Sequence, residues 1–299
     1  MSDRVVSFCV GTGRCGTTLL AKLAELEPDV AASHERLRLA ATFHMYCKWH
    51  GIAVDPEGFL IDREAAIRED HADHRVSFES SALLSHSLHE LFERFDARFL
   101  LLVRSPDRTV ASFAARGWFV DPIPWRDPAR PPSYREGMEP RHFFGRILPR
   151  GAEFHRWCAL SQIGRIAWFY AQRIRDILDQ FRALPADRVR IARLEDLDVE
   201  HYRTVAQFLG WTPTITAEQF AALAHSRPNA EEHAAPDRPR EWPREWTAAV
   251  AAEFETEVGP LATALGYEHR LERLLAGEPV TRTPPPRVAD VLAALPTGR

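Results

Sequence analysis

The feature that most constrains this chain is a buried strand that passes through a glycine-rich turn directly into a helix. Residues 4–10 are rich in valine and phenylalanine, and residues 17–27 carry leucines at helical spacing. Strands predicted at 75–78, 98–103 and 188–194 are each followed by a predicted helix, at 84–95, 107–116 and 199–209. Further helices are predicted at 155–182 and 245–265. This alternation predicts an α/β protein, a three-layer sandwich with a central parallel sheet between helices.

Composition and charge favour an ordinary globular protein. The 299 residues are 45% apolar and 27% charged, with a formal net charge of −4, which predicts no nucleic-acid partner and no anionic membrane surface. No apolar run reaches the roughly 18 residues of a membrane span, and the N-terminus lacks a secretory pattern, so we expect a cytoplasmic protein. The four cysteines, which have no Cys-x-x-Cys spacing, are expected to be reduced thiols and not metal ligands.

The turn after the first strand, GTGRCGTT, resembles the phosphate loop of nucleotide-hydrolysing proteins, G-x-x-x-x-G-K-[ST]. Gly11, Gly16 and Thr18 keep its spacing, but Thr17 stands in place of the lysine and Arg14 precedes it by three positions. A glycine turn at the start of a helix directs backbone N–H groups toward an anion, and the helix dipole assists. The loop therefore predicts a phosphate site without the usual lysine.

The end of the second long apolar strand also departs from an ATPase. FLLLV is followed by Arg104, where an ATPase has an aspartate that helps to hold magnesium. An arginine there repels a divalent cation and attracts a second phosphate. The sequence thus predicts a ligand with negative charge at two separated places and no metal ion.

These segments resemble the PAPS-dependent sulfotransferases. SFCVGTGRCGTTLL resembles the 5′-phosphosulfate loop of that family, and FLLLVRSPDRTVASF resembles its 3′-phosphate element, with Arg104 followed eight residues later by Ser112. RVRIARLEDL with FLGW resembles a third shared block, and ALGYEH the closing segment. The blocks occur in family order over residues 4–268, and the loop region is similar to the tyrosylprotein and bacterial branches. The resemblance implies a P-loop NTPase-like sulfotransferase fold.

The resemblance also implies the cofactor and its ligands. PAPS, with PAP as product, would be bound without a metal ion, and Arg14 would stabilise the departing phosphate. An arginine in the later loop SRPNAEE is a looser candidate for the 3′-phosphate. The implied cofactor-binding residues are Gly13, Arg14, Cys15, Gly16, Thr17, Thr18, Arg104, Ser112 and Arg227.

Three residues are candidates for the general base. Glu35 lies 21 residues after Arg14, the count at which the tyrosylprotein branch has its base glutamate, and His34 is the base type of other branches. Glu79 lies in SFESS, which resembles a segment of bacterial and carbohydrate sulfotransferases, at a position where the tyrosylprotein branch has a lysine. An ion pair of Glu35 with Arg36 or Arg38 is the plain structural alternative.

The acceptor and the domain limits are predicted more coarsely. Residues 118–152, rich in proline, arginine and aromatics, are a candidate acceptor-site lid or insertion in a single domain, 1–275, before a C-terminal tail, 276–299. We expect a hydroxyl or amine acceptor, a small molecule or natural product before a peptide. A non-catalytic PAP- or nucleotide-binding protein is the alternative, and a P-loop kinase or ATPase is disfavoured by the missing lysine.

Overall fold

The structure, a computed structural model, describes residues 4–120, 145–226, 246–268, 272, 275, 276, 278 and 280–296. The chain divides into two compact units. The first comprises Met1–Arg104 and Asp176–Ala234, and the second comprises Ser105–Arg175 and Ala235–Arg299. The organisation into one domain, 1–275, and a tail stays a prediction. None of the helices formed by the described residues is both long and apolar enough to cross a membrane.

Strands and helices alternate as the sequence predicts. The strands are β1 (Val5–Val10), β2 (Val30–His34), β3 (Val76–Ser80), β4 (Arg98–Val103), β5 (Val189–Arg193), β6 (Tyr267–Glu268) and β7 (Thr281–Arg282). The helices that the structure describes are α1 (Thr17–Ala24), α2 (Arg38–His50), α3 (Pro56–Asp73), α4 (Leu88–Phe95), α5 (Pro106–Ala114), α6 (Ala152–Ala159), α7 (Gln162–Arg182), α8 (Val199–Leu209), α9 (Ala217–Ser226), α10 (Ala248–Ala264) and α11 (Val288–Ala294). Short 3₁₀ turns lie at Ala82–Leu84, Ala186–Arg188 and Leu194–Asp196.

The first unit is built on a five-stranded sheet in the order β2-β3-β1-β4-β5. All four pairings are parallel, with Phe8 opposite Glu79 in β3 and Phe99 in β4. This sheet confirms the predicted α/β class. The edge strand β2 was not predicted, because VAASH has small side chains and no long apolar run.

Helices cover both faces of this sheet. On one face, the apolar side chains of α1 and α8 pack with Cys9, Phe78 and Leu100 into the main core. On the other face, α3 contacts the sheet through polar side chains, which pair with Ser77 and Glu79 of β3. Because successive strand residues point to opposite faces, Phe78 and Glu79 of the same strand meet different layers.

In the second unit, the strands β6 and β7 and the helix α11 were not predicted, and one predicted helix is divided. The helix predicted over 155–182 is two helices, since Leu160 is extended (ψ 155°) between α6 and α7. Ser161 precedes α7 and caps it, because its hydroxyl accepts from the Gly164 N–H at 3.1 Å. The backbone N–H of Ser161 donates to Glu253 of α10 at 2.9 Å. A tertiary contact and a serine cap therefore divide a continuous apolar stripe. Near the C-terminus, Val291 of α11 is fully buried.

Candidate active site

The glycine-rich loop and Arg104 lie at the carboxyl ends of neighbouring strands. β1 leads into Gly11 and β4 into Arg104, and the strands are paired up to Val10 and Leu101. The chain connections that leave these two strands run in opposite directions: the one after β1 leads to β2 at one edge of the sheet, and the one after β4 leads to β5 at the other edge. Open parallel sheets bind ligands in the crevice at such a reversal. The guanidinium of Arg104 reaches the loop directly, since its Nη1 donates to the Arg14 carbonyl at 3.4 Å.

The backbone of the loop is arranged as an anion cradle. Gly13 (φ 80°), Arg14 (φ 59°) and Gly16 (φ 102°) all have positive φ, which is unusual for a side chain as large as arginine. Gly16 precedes α1, its carbonyl accepts the first helical bond from Leu20, and no side-chain hydrogen bond caps the helix. Strained residues of this kind concentrate at ligand sites, and N–H groups at a helix start bind anions.

Close packing around the loop requires its glycines. A Cβ on Gly11 would lie 2.6 Å from the Leu102 carbonyl oxygen and 2.7 Å from Cys15 Sγ. A Cβ on Gly16 would lie 2.6 Å from a methyl group of Leu194, which follows β5. The Ser85 hydroxyl donates to the Gly11 carbonyl at 3.0 Å. The loop is therefore held by β4 and by the segments that follow β3 and β5.

Cys15 serves the packing of this loop. It is fully buried, and burial raises the pKa of its thiol. A neutral buried thiol is inert, which agrees with a loop-filling role. All four cysteines are among the described residues, and all are free.

His34 lies directly against the start of α1. Its Nε2 is 3.2 Å from Thr18 Oγ1 and 3.3 Å from Thr17 Oγ1. The contact follows from the sheet register, because His34 is opposite Ser80 and points to the face that α1 covers. The structure thus brings His34 together with both predicted threonines.

Glu35 occupies a strained turn immediately after β2. Its φ is 51°, and that of Leu37 is 55°, while the Glu35 N–H donates to the Ser80 carbonyl at 3.2 Å. The carboxylate forms an ion pair with Arg38 Nε at 3.4 Å, with about a quarter of the Glu35 side chain exposed. Glu35 therefore has the ion pair that its sequence allowed, and it follows His34 at the same end of the sheet.

Glu79 lies on the opposite face of the sheet from α1. It is 5% exposed and forms an ion pair with Arg63 of α3, which is 1% exposed. Burial raises the pKa of the Glu79 carboxyl, and the Arg63 guanidinium opposes that rise. Glu79 is paired with Phe8 of β1, and both side chains point away from α1. Glu79 is therefore on the other side of the sheet from the Thr17 and Thr18 hydroxyls.

Ser112 belongs to the second unit, on α5. Its hydroxyl accepts from Arg116 Nη1 at 3.4 Å, and burial lowers the pKa of that guanidinium. Arg116 was not considered from the sequence, although its spacing of one helical turn after Ser112 was a usable signal. Other predicted residues lie outside the described ranges: Arg227, and residues 121–144 of the candidate lid with Trp125, Tyr134, Phe143 and Phe144.

Two residues of the first-unit site were also missed. Ser85 follows the turn after β3 and has no motif to mark it. Leu194 likewise has no motif to mark it, yet its side chain packs on Gly16. Its position directly after a core strand at the loop edge of the sheet was the available signal.

Comparison with known proteins gives a distant structural similarity. No protein-family model matches the chain, and no curated protein sequence is similar to it. Among solved structures, the sulfotransferase domain of the olefin synthase from Synechococcus PCC 7002 is similar, with a TM-score of 0.44 and 16% sequence identity. That similarity covers 87% of this chain and 94% of the other.

Proposed function

We propose that this chain is a sulfotransferase that transfers a sulfuryl group from PAPS to a hydroxyl or amine acceptor. The observation that carries the proposal is the pair of arginines in the segments that follow two adjacent strands, with Arg104 Nη1 3.4 Å from the backbone carbonyl oxygen of Arg14. Thr17 and Arg104 stand where an ATPase would have its phosphate lysine and its magnesium aspartate. A donor with phosphate groups at both the 5′ and 3′ positions matches this distribution of positive charge.

The residues around the loop fit the charged 5′ end of PAPS. Arg14 and the first N–H groups of α1 would bind it, since the residue before the helix is a glycine with no capping side chain and the helix dipole favours an anion. When bound, PAPS supplies the sulfuryl group on a phosphate that can leave. Arg14 then stabilises the negative charge that develops on the departing phosphate oxygen, the largest single contribution such a site can make.

Glu35 is our candidate for the general base. It would accept the proton of the acceptor hydroxyl as the oxygen bonds to sulfur, and Arg38 holds its carboxylate in place. His34 would orient the hydroxyls of Thr17 and Thr18 through Nε2. Glu79 has a different environment, because its ion pair with Arg63 is buried in the opposite layer.

An acceptor with an apolar part is supported by the side chains that follow Glu35. Leu37, Leu39 and Phe43 are 40%, 58% and 47% exposed. These three large apolar side chains lie within seven residues of one another in the sequence, and a contiguous apolar surface formed by them would suit an apolar ligand. A small molecule with a hydroxyl at one end of an apolar body fits this surface next to the candidate base.

Calorimetric titration with PAP and with ATP, each in EDTA, tests the proposal. We expect PAP to bind at micromolar or lower concentration and ATP at least about tenfold more weakly, a difference of about 1.4 kcal/mol. ATP binding that needs magnesium, with no binding of PAP, would instead identify the loop as that of an ATPase or kinase.

A non-catalytic PAP-binding protein is the second candidate. The observation that favours it is Glu79, which occupies the position of a leaving-group lysine in the tyrosylprotein branch and supplies no positive charge. Release of PAP from PAPS in the presence of a panel of phenols, alcohols and amines separates the two candidates. PAP binding with no release of PAP above the uncatalysed rate would favour the binding protein.

A further inference from the structure

A chain of buried polar contacts begins at Glu79 and ends at the turn that carries Glu35. The first member is Arg63 of α3, whose Nη1 donates to the Glu79 carboxylate. Both side chains are withdrawn from solvent, with 1% of Arg63 and 7% of Glu79 exposed. Burying a charged guanidinium costs free energy unless it is paired and hydrogen-bonded, and the Arg63 donors that have partners here are Nη1 and Nη2.

The second contact of Arg63 lies on the backbone of the candidate site. Its Nη2 donates to the Arg36 carbonyl at 2.8 Å, one residue beyond Glu35. The planar guanidinium has several N–H donors in a fixed fork, so one side chain joins β3 to this turn. A lysine ammonium, which is a single point on a flexible stem, cannot reproduce that fork.

The side chain of Arg36, which belongs to the same turn, is also bound by α3. The Arg36 guanidinium makes two hydrogen bonds to Asp70 of α3, at 2.9 and 3.0 Å. Asp70 also accepts from the Ser77 hydroxyl of β3 at 2.6 Å. Arg36 is therefore held at its carbonyl and at its guanidinium by the same helix.

The turn requires such support because its backbone is strained. Glu35 and Leu37 both have left-handed φ values, 51° and 55°, which side chains other than glycine rarely adopt. Strained residues persist only where surrounding contacts determine their conformation. The contacts of Arg63 and Asp70 supply that determination from the side of the sheet opposite α1.

We propose that Arg63 is a positioning residue: through the Arg36 carbonyl it holds the Glu35 turn, and with it the general base, beside the phosphate loop. The proposal rests on the proposed function for its catalytic consequence. Its structural part, the restraint of the turn, stands on the contacts alone. Glu79 then anchors Arg63 and does not take a proton from the acceptor.

The test compares Arg63→Lys with Arg68→Lys, a matched change on the same helix at a side chain that is 72% exposed. Two quantities are measured: hydrogen exchange at the Glu35 amide, and the rate of PAP release from PAPS. The acceptor is the best one of the panel, or water if none reacts. We expect Arg63→Lys to speed exchange at Glu35 about tenfold and to lower kcat about tenfold, while KM for PAPS stays within about twofold. Arg68→Lys should leave both the exchange at the Glu35 amide and kcat unchanged.

Combination with Glu35→Gln separates positioning from general damage. If Arg63 acts through Glu35, Arg63→Lys has little further effect on kcat in the Glu35→Gln background. An equal loss of kcat in both backgrounds, or unchanged exchange at Glu35, would overturn the proposal.

Two further outcomes remain informative. If Arg63→Lys fails to fold, the double variant Arg63→Met with Glu79→Met removes both buried charges and keeps the layer apolar. It should show the same faster exchange at Glu35, and retained protection there contradicts the proposal. If the wild-type chain does not bind PAP, the proposed function fails, whereas the exchange measurement still tests the restraint.

Discussion

Gly16 gives the sharpest test of the loop geometry. Its φ of 102° is left-handed, and a Cβ there would lie 2.6 Å from a Leu194 methyl group. Alanine in this region costs about 1–2 kcal/mol of backbone strain. The Leu194 methyl group must also move back by about 1 Å to reach a normal contact distance of about 3.5–4.0 Å, and such crowding costs about 1 kcal/mol. We expect Gly16→Ala to lower the free energy of unfolding of the first unit by about 2–3 kcal/mol.

Urea unfolding with circular dichroism measures this change, and calorimetry with PAP measures its effect on binding. In a Leu194→Ala background, Gly16→Ala should cost about 1 kcal/mol less than in the wild type, because the crowding is absent there and only the strained φ remains. Gly58→Ala, on α3 where a Cβ meets nothing within 4 Å, is the control and should be neutral or stabilising. A Gly16→Ala protein as stable as the wild type, with unchanged PAP affinity, would refute the described loop conformation.

Arg14→Ala should lower the sulfuryl-transfer rate by about 10²-fold or more while weakening PAP binding only partly, because the charge it stabilises develops during the reaction; unchanged turnover in a PAPS assay would remove it from the mechanism. Glu35→Gln should keep PAP affinity and lower kcat by about 10²-fold. If Glu79→Gln lowers kcat in this way and Glu35→Gln does not, Glu79 is the base. His44 is 2% exposed beside Phe59, and burial lowers its pKa from 6.5. Because the unfolded chain then binds the proton more readily, stability should fall below about pH 6.5, and His44→Phe should flatten that fall in urea unfolding across pH 5–7.

The sheet and its loop edge could be predicted from sequence because long apolar strands and a glycine turn are local signals. Val5–Val10 and Arg98–Val103 are buried apolar runs with clear ends. β2 has one buried apolar side chain, Val30, followed by four partly exposed residues, so its pairing with β3 is a tertiary effect. The break between α6 and α7 depends on Glu253, which lies about ninety residues away in sequence.

The environment of Glu79 could not be predicted because every residue of β3 is buried. VSFES alternates apolar and polar residues, a pattern typical of a strand with one solvated face, so it does not reveal that Glu79 is buried, and its partner Arg63 lies on a helix that was not predicted. His34 is the opposite case. Its contact with Thr17 and Thr18 depends on the edge strand β2, which was not predicted. His34 was nevertheless a candidate, because the sequence places it shortly after the helix that follows the loop.

The position of His34 between two hydroxyls links anion binding to the tautomer of its ring. A bare Nε2 accepts from Thr17 or Thr18, which turns a hydroxyl hydrogen toward the ring and leaves oxygen lone pairs for the ligand. An Nε2–H reverses the arrangement: it donates to a threonine oxygen and frees that hydroxyl to donate outward. A hydroxyl that donates outward suits an anion at the start of α1, whereas one that donates to the ring does not, so the anion-binding capacity of the loop depends on which nitrogen of His34 carries the hydrogen.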